Sequence, residues 1–319
     1  MTVWPDSRIL VTGASGFVGH HVLARARDLA PSVAAVSNSR VLTEPGVLTR
    51  AGDLCDGGFV REMLLAFGPT HIFHLAGTLR ADFGGIEAHR CYNRNNVLAT
   101  AQLLEEASLL PDPPRVVLTS SSAVYGLSPS LPITENSPFR PTSAYASSKV
   151  AQEMVALQYW LERGVPVIRA RLFNLVGPRQ SPDLVLSEAA RQVVVCEQGG
   201  ASSITLGELS PRRDFVDVHD AAEALMRLAM LGEPGEAYNV ASGVSRSIRS
   251  CVEALLGLAE CPIVVESVPR HDAGGQIMEQ RGSHDYLTDL TGWMPEIRFE
   301  DSLKAVLEYW RSQLNGRGA

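Results

Sequence analysis

The sequence predicts an α/β protein built on a doubly wound parallel sheet, with a smaller α+β lobe towards its C-terminus. Three observations carry this. Short apolar runs alternate with helical stretches through the first half, a glycine loop follows the first run directly, and the rhythm breaks after about Leu172. In order, Arg8–Thr12 is strand-like, Phe17–Leu29 has helical character, and residues 33–36 and 70–75 are further strands. A helix is expected over 96–107, a strand over 115–119, a long helix over 145–163 closed by Gly164, and a strand over 165–171. Apolar strands separated by helices imply right-handed crossovers and a parallel sheet covered on both faces. Beyond Leu172, loops such as Gly177-Pro178, Gly199-Gly200, Ser210-Pro211 and Gly274-Gly275 interrupt shorter elements. That pattern suits a smaller lobe shaping a pocket over the sheet edge. The expected division is 1–172 for the sheet domain with the reactive groups, and 173–319 mainly for the lobe, with segments returning to the sheet domain.

The 319 residues are 45% hydrophobic and 20% charged, an ordinary globular balance with ample material for a core. A net charge of −7 leaves no basic excess to neutralise nucleic-acid phosphates, although a local arginine pocket for a small anion is compatible with it. No leader peptide and no run long enough to span a membrane is visible. The five cysteines (55, 91, 196, 251 and 261) form no CxxC pair and read as reduced structural thiols, with no metal site expected. A cytoplasmic protein is the expectation.

Gly13-Ala14-Ser15-Gly16-Phe17-Val18-Gly19 leaves the first strand and opens the first helix. In a dinucleotide-binding loop the first glycine permits a tight turn. The second lets the backbone approach a pyrophosphate, and the third allows helix to pack on strand. A carboxylate that binds an adenine-ribose 2′-hydroxyl usually stands about 20 residues further on. Here that stretch is Val36-Ser37-Asn38-Ser39-Arg40, without an acid. Asn38 and Arg40 suit a 2′-phosphate, which favours NADP(H) and leaves NAD(H) open; Arg40 on a solvated loop is the alternative reading.

Tyr145 and Lys149 stand at i and i+4, on one face of a helix. Upstream, Thr119-Ser120-Ser121-Ser122 ends a strand with hydroxyls. A neighbouring ammonium would favour the phenolate and tune Tyr145 to exchange protons near neutral pH. A hydroxyl from Ser121 can hold a carbonyl oxygen while hydride arrives. A YxxxK pair alone recurs by chance, but the glycine loop, serine strand and Tyr/Lys helix in this order form a far more specific combination.

Together with Phe173-Asn174 and Arg213-Asp214-Phe215, these residues resemble the extended short-chain dehydrogenases/reductases acting on nucleotide sugars, over almost the whole chain. The GxxGxxG spacing is the variant of that family. The resemblance implies a Rossmann fold, with Tyr145 as acid/base, Lys149 also on the nicotinamide ribose, and Ser121 on the substrate oxygen. Gly13, Ser15, Gly16, Phe17, Val18 and Gly19 would hold the cofactor. Asp53-Leu54 and Leu75-Ala76-Gly77 look like the loops beside adenine and nicotinamide, and could equally be strand-end turns. Ser122, Asn174, Arg213 and Arg270 would bind the nucleotide-diphosphate sugar, guanidinium forks suiting a diphosphate. For Arg213 the alternative is a surface ion pair. Arg270-His271-Asp272 matches the family pattern only in part, and His219 and His271 read as ordinary histidines. The loop Gly177-Pro178-Arg179-Gln180-Ser181-Pro182-Asp183-Leu184-Val185, with a helix over 187–196, looks like GDP-4-keto-6-deoxy-D-mannose reductases.

The resemblance leaves several activities to compare. A 4,6-dehydratase would carry a carboxylate just after the hydroxyl residue, where this chain has Ser122 and Ala123. A 4-epimerase with bound NAD would carry an acid after the second strand. A non-catalytic nicotinamide-binding sensor would have little need for Ser121, Tyr145 and Lys149 together. A 4-keto reductase using NADPH needs only the groups present, and is the favoured reading. The family resemblance also implies a homodimer through the helices at 96–107 and 145–163.

Overall fold

The computed structural model describes residues 4–39, 41–268 and 277–315. Its centre is a seven-stranded sheet made of β1 (Arg8–Thr12), β2 (Ser32–Ser37), β3 (Val47–Ala51), β4 (His71–His74), β5 (Arg115–Ser121), β6 (Val167–Leu172) and β10 (Ala237–Val240). The order is β10-β6-β5-β4-β1-β2-β3, and every pairing is parallel. The order reverses between β1 and β4, and a crevice at such a switch point is where open α/β sheets take their ligands.

Successive residues of each strand go to opposite layers. Ile9 and Val11 enter a core with α1 (Phe17–Leu29) and α7 (Val218–Leu231), whereas Leu10 enters the core on the other face. That second face carries α2 (Gly57–Phe67), α4 (Ala99–Ser108) and α5 (Ala144–Arg163). Strands buried on both sides read as continuous apolar runs, which is why β1, β2, β5 and β6 were visible in the sequence. β10 was not: it lies far beyond Leu172 yet pairs with β6 through Tyr238↔Ala170.

Other elements also escaped the sequence reading. β3 is the half-exposed edge strand and lacks a strong apolar run. α2 starts on Gly57-Gly58, residues that disguise a helix, but Asp56 caps it by accepting from Gly58 N at 2.9 Å and Phe59 N at 3.3 Å. The helix expected over 96–107 is longer and broken: α3 (Gly85–Tyr92) passes into a π-helical segment, Asn93–Leu98, and then into α4. A π-bulge adds one residue and turns a side chain out of helical register; here it buries Asn96 completely. The remaining boundaries shift by one or two residues, with strand at His71–His74 and Val167–Leu172.

The smaller lobe has its own core, formed by α6 (Val185–Glu197), α8 (Ile248–Leu256) and α10 (Phe299–Asn315). They pack on a three-stranded sheet of β7 (Asn174–Val176), β9 (Arg212–Asp217) and β11 (Ser245–Ser247), and on the pair β8 (Ser203–Leu206) with β12 (Val264–Ser267). Asp214, fully buried on β9, ties loops together: its carboxylate accepts from Ser242 N at 2.8 Å, Gly243 N at 3.0 Å and Gly282 N at 3.1 Å. The last helix of the sheet layer, α9 (Asp285–Thr291), packs on β10 and α7.

Candidate active site

The glycine loop sits at the C-terminal end of β1, beside β4. Gly13 has φ +69°, and a Cβ there would come within 2.6 Å of Ala76 N. At Gly19 a Cβ would lie 2.1 Å from Gly13 O, so helix and loop touch backbone to backbone. Around Gly16, by contrast, the nearest atom to a Cβ is Gly13 O at 3.2 Å. Gly16 is the N-cap of α1, with no side-chain cap and no acidic residue in the first turn. Its first-turn N–H groups have no side-chain cap, and such a helix N-terminus suits pyrophosphate. The residues therefore fit a dinucleotide. Ser15 and Gly16 are exposed on this loop, and Phe17 and Val18 line the main cavity.

A smaller cavity of about 140 Å³ lies at the ends of β2 and β3, where Ser37, Asn38, Asp53, Leu54, Ala76 and Gly77 line it. Asp53 is an ion-pair partner of Arg94. The Cys55 N–H and the Arg94 guanidinium hold its carboxyl below the usual carboxylate range. Arg40 lies outside the described residues.

Gly77 and Thr78 also line the main cavity, of about 530 Å³, which runs from the nucleotide loop to the smaller lobe. Leu75, Ser121, Ser122, Tyr145 and Lys149 are all on its wall. β5 delivers Ser121 at its last residue, and Ser143 caps α5 by accepting from Ala146 N at 3.1 Å, so the helix begins with Tyr145 beside Ser121. The two hydroxyls face the same part of the cavity. Burial pushes the Tyr145 phenol up to about 12; the Ser121 contact opposes this and Tyr92 adds to it. The phenol is thus shifted up by burial, against the lowering expected from a neighbouring ammonium. Lys149 Nζ donates to Thr119 O at 3.0 Å and to Gln152 Oε1 at 2.8 Å. Burial brings Lys149 down to about 8, against the opposing charge of Glu153.

Behind the wall the polar contacts continue. Gln152 donates to Thr100 at 2.7 Å, Thr100 donates to Asn96 O at 2.6 Å, and Thr100 also meets His74 Nε2 at 2.8 Å. With its one proton on Asn96 O, Thr100 must accept from His74, which assigns the Nε2–H tautomer and leaves Nδ1 accepting from Thr12 at 2.8 Å. Complete burial holds His74 at about 3, so it is neutral. Asn96 donates to Ser148 at 2.9 Å and accepts from Thr78 N at 2.7 Å, fixing the loop after β4. Glu153, with no exposed surface, accepts from Ser120 at 2.5 Å and from Arg171 Nη2 at 2.8 Å and Nε at 2.9 Å.

At the other end of the cavity are Asn174, Gln180, Arg213 and Phe215. Asn174 Nδ2 donates to Asp214 O at 3.3 Å. Arg213 forms no ion pair among the described residues; its guanidinium donates to Arg212 O at 2.8 Å, and burial lowers its pKa. The surface ion pair considered for Arg213 is formed instead by its neighbour Arg212, with Glu279 at 3.9 Å. Ser122 lines the cavity, but its hydroxyl is engaged with Gln280 Oε1 at 3.2 Å. Arg270, His271 and Asp272 lie outside the described residues. His219 pairs with Asp217 at 2.9 Å, remote from the reactive hydroxyls in the contacts it makes.

The NAD dependent epimerase/dehydratase family matches residues 9–241 of this sequence. The chain belongs to that family. It is 36% identical to the GDP-6-deoxy-D-mannose reductase of Pseudomonas aeruginosa, over 96% of this chain and 98% of that enzyme. The structure of RMD from Pseudomonas aeruginosa complexed with NADPH superposes with a TM-score of 0.85 at 34% identity, covering 97% of this chain and 100% of that one. A UDP-glucose 4-epimerase from Mycolicibacterium smegmatis is 28% identical over 96% of this chain and 99% of its own length. Extended short-chain dehydrogenase/reductase architecture thus spans nearly the full sequence.

Sequence reasoning missed Gln152, Glu153, Thr100, Asn96, Gln180, Glu208 and Gln280. For the first two a signal existed: with Tyr145 and Lys149 they form a polar stripe at helical spacing where an amphipathic helix should be apolar. Gln180 stands in the Gly177–Val185 loop already singled out by its resemblance but was not named as a site residue, and Glu208 comes from an irregular loop with no signal.

Proposed function

We propose that this protein reduces the 4-keto group of a nucleotide-linked 4-keto-6-deoxy sugar with NADPH, with a GDP-linked substrate favoured. One observation carries the reading. A single cavity holds the protonated Ser121–Tyr145 pair at the cofactor end and the carboxylate-free Arg213 guanidinium at the other. The nicotinamide would supply hydride. Ser121 and Tyr145 bind the carbonyl oxygen, and Tyr145, held in its acid form by burial, gives it a proton. Lys149 fixes the strand end through Thr119 O and reaches the cofactor side. Arg213 and Asn174 take the diphosphate, with Ser122 beside the sugar and Arg270 as a further candidate. Gly13, Ser15, Gly16, Phe17, Val18 and Gly19 hold the pyrophosphate side; Asn38, Arg40, Asp53 and Leu54 hold the adenosine side; Leu75, Ala76 and Gly77 hold the nicotinamide side.

Two features favour reduction over the related reactions. Among the described residues lining the cavity only Glu208 is a carboxylate, and it belongs to the smaller lobe rather than to the hydroxyl strand, so dehydration lacks its acid/base partner there. The end of β2 offers Ser37 and Asn38 and no acid, which favours NADPH over a permanently bound NAD. The relative from Pseudomonas aeruginosa points the same way. A homodimer through α4 and α5 fits the exposed Met154 and Leu161, and free thiols fit a cytoplasmic setting. NADPH oxidation with GDP-4-keto-6-deoxy-mannose, run beside NADH and other nucleotide-linked keto sugars, tests the reading. Interconversion of unmodified nucleotide hexoses, with no NADPH consumed, would replace it by the epimerase.

A further inference from the structure

The main cavity contains a carboxylate that the proposed chemistry does not use. Glu208 lies on the loop after β8, half-buried, and lines the cavity near Pro211, Arg213 and Ile248. Its Oε1 accepts from Ser210 N at 3.0 Å. The loop is pinned in turn, because Ile248 N donates to Pro211 O and Arg249 N to Leu209 O, both at 2.9 Å. The carboxylate is thus carried on a fixed turn. It forms no salt bridge among the described residues, and the Ser210 N–H favours its ionised state.

A negative charge in a cavity meant for a diphosphate is unfavourable unless it meets hydrogen-bond donors on the ligand. The position says which part of the ligand supplies them. With the reacting carbonyl between Ser121 and Tyr145 and the diphosphate at Arg213 and Asn174, the base falls to the smaller lobe, between the apolar Leu184, Leu186 and Ile248. There Glu208 is the charged group.

The bases differ in what they can offer a carboxylate. Guanine presents two adjacent donors, N1–H and the N2 amino group, which match its two oxygens. Uracil and thymine present one N–H flanked by two carbonyl oxygens, which repel it. Adenine places its amino group beside an acceptor nitrogen. We infer that Glu208 is the base-selecting residue of this cavity and takes guanine through N1–H and the N2 amino group. The inference rests on the nucleotide-sugar reading above and adds the residue that chooses the nucleotide.

The test pairs a change in the protein with a change in the ligand. GDP, IDP (which lacks only the N2 amino group) and UDP are titrated calorimetrically onto NADPH-loaded wild-type and Glu208→Gln proteins. Wild type is expected to bind GDP about 10- to 100-fold more tightly than IDP or UDP, the range for losing a charge-assisted hydrogen bond at a built site. In Glu208→Gln, GDP weakens by a similar factor, the GDP/IDP difference largely disappears, and UDP does not weaken. NADPH affinity, set on the other side of the cavity, verifies that the variant is folded. A GDP/IDP ratio equal in the two proteins overturns the assignment even where GDP-keto-sugar reduction is intact. Wild-type preference for UDP overturns it together with the guanine reading, and NADPH oxidation with UDP-linked keto sugars then tells whether the reductase survives.

Discussion

Lys149 makes the cost of this site measurable. Burial lowers its pKa from 10.5 to about 8 in the fold. An ammonium whose folded value lies below its unfolded value penalises the native state while it is charged. Between the two values the unfolded chain binds more protons, so stability rises with pH there, by about 1.4 kcal/mol per unit. From pH 8 to 9.5 the wild-type protein therefore gains roughly 1–2 kcal/mol through this group alone, less than the full slope because the folded ammonium is already half deprotonated at pH 8. Lys149→Met keeps the volume and removes the titration. The other ionisable groups are common to both proteins and cancel in the comparison. Urea unfolding of the cofactor-free proteins at several pH values gives the stability difference at each. The variant should lose roughly 1–2 kcal/mol relative to wild type across that interval. Its offset at pH 7.5 depends on how Thr119 O and Gln152 find new partners, and is not the quantity at issue. A difference that stays flat with pH would refute the account of Lys149 as a buried, destabilising ammonium.

Two further outcomes follow from the cavity and the glycine loop. Tyr145→Phe should leave NADPH binding intact and lower turnover by about 10²- to 10⁴-fold, as loss of a general acid does; a near-native rate in single-turnover assays would remove Tyr145 from its role. Gly19→Ala places a methyl group 2.1 Å from Gly13 O, backbone against backbone. That overpacking should destabilise by about 1–3 kcal/mol and open the loop, which fluorescence titration with NADPH would read as weakened binding.

The legible part of this protein is the part specified locally. Gly13, Gly16 and Gly19 lie within seven residues, and Tyr145 and Lys149 lie one helical turn apart, so each motif declares itself wherever the rest of the chain goes. Strands buried on both faces are visible for the same reason. β10 is not, because its place beside β6 is decided by the packing of α7 and α9 and not by its four residues. The fate of Lys149 was equally hidden. Spacing puts it on the face of Tyr145, but the backbone carbonyl of Thr119, thirty positions earlier, claims its ammonium. Arg213 and Glu208 share one cavity only through the turn linking β8 to β9, and nothing periodic in residues 207–211 announces it.

The buried polar face of α5 explains how such a site is tolerated. Lys149, Gln152 and Glu153 occupy core positions, and each meets a specific partner: Thr119 O and Gln152 for the ammonium, Thr100 for the amide, Ser120 and Arg171 for the carboxylate. A half-satisfied network would be worse than an apolar core. The contacts on this face reach β5 and β6 directly and, through Thr100 at the start of α4, Asn96 of the π-helical segment and His74 of β4, next to Ser121 and the loop at Gly77. Rigidity at the hydroxyls is therefore obtained from groups that individually cost stability. Removing Glu153 would release Ser120 and take from the Arg171 guanidinium, buried with 4% of its side chain exposed, its paired carboxylate, leaving it the Tyr125 hydroxyl and the Glu135 carbonyl. Breaking a buried pair from one side costs about 3–5 kcal/mol, whereas the exposed pair Arg90–Glu87 can be lost for about 1 kcal/mol or less. The difference between those two figures measures how far the strand end at Ser121 depends on a helix face that its own sequence pattern would have left apolar.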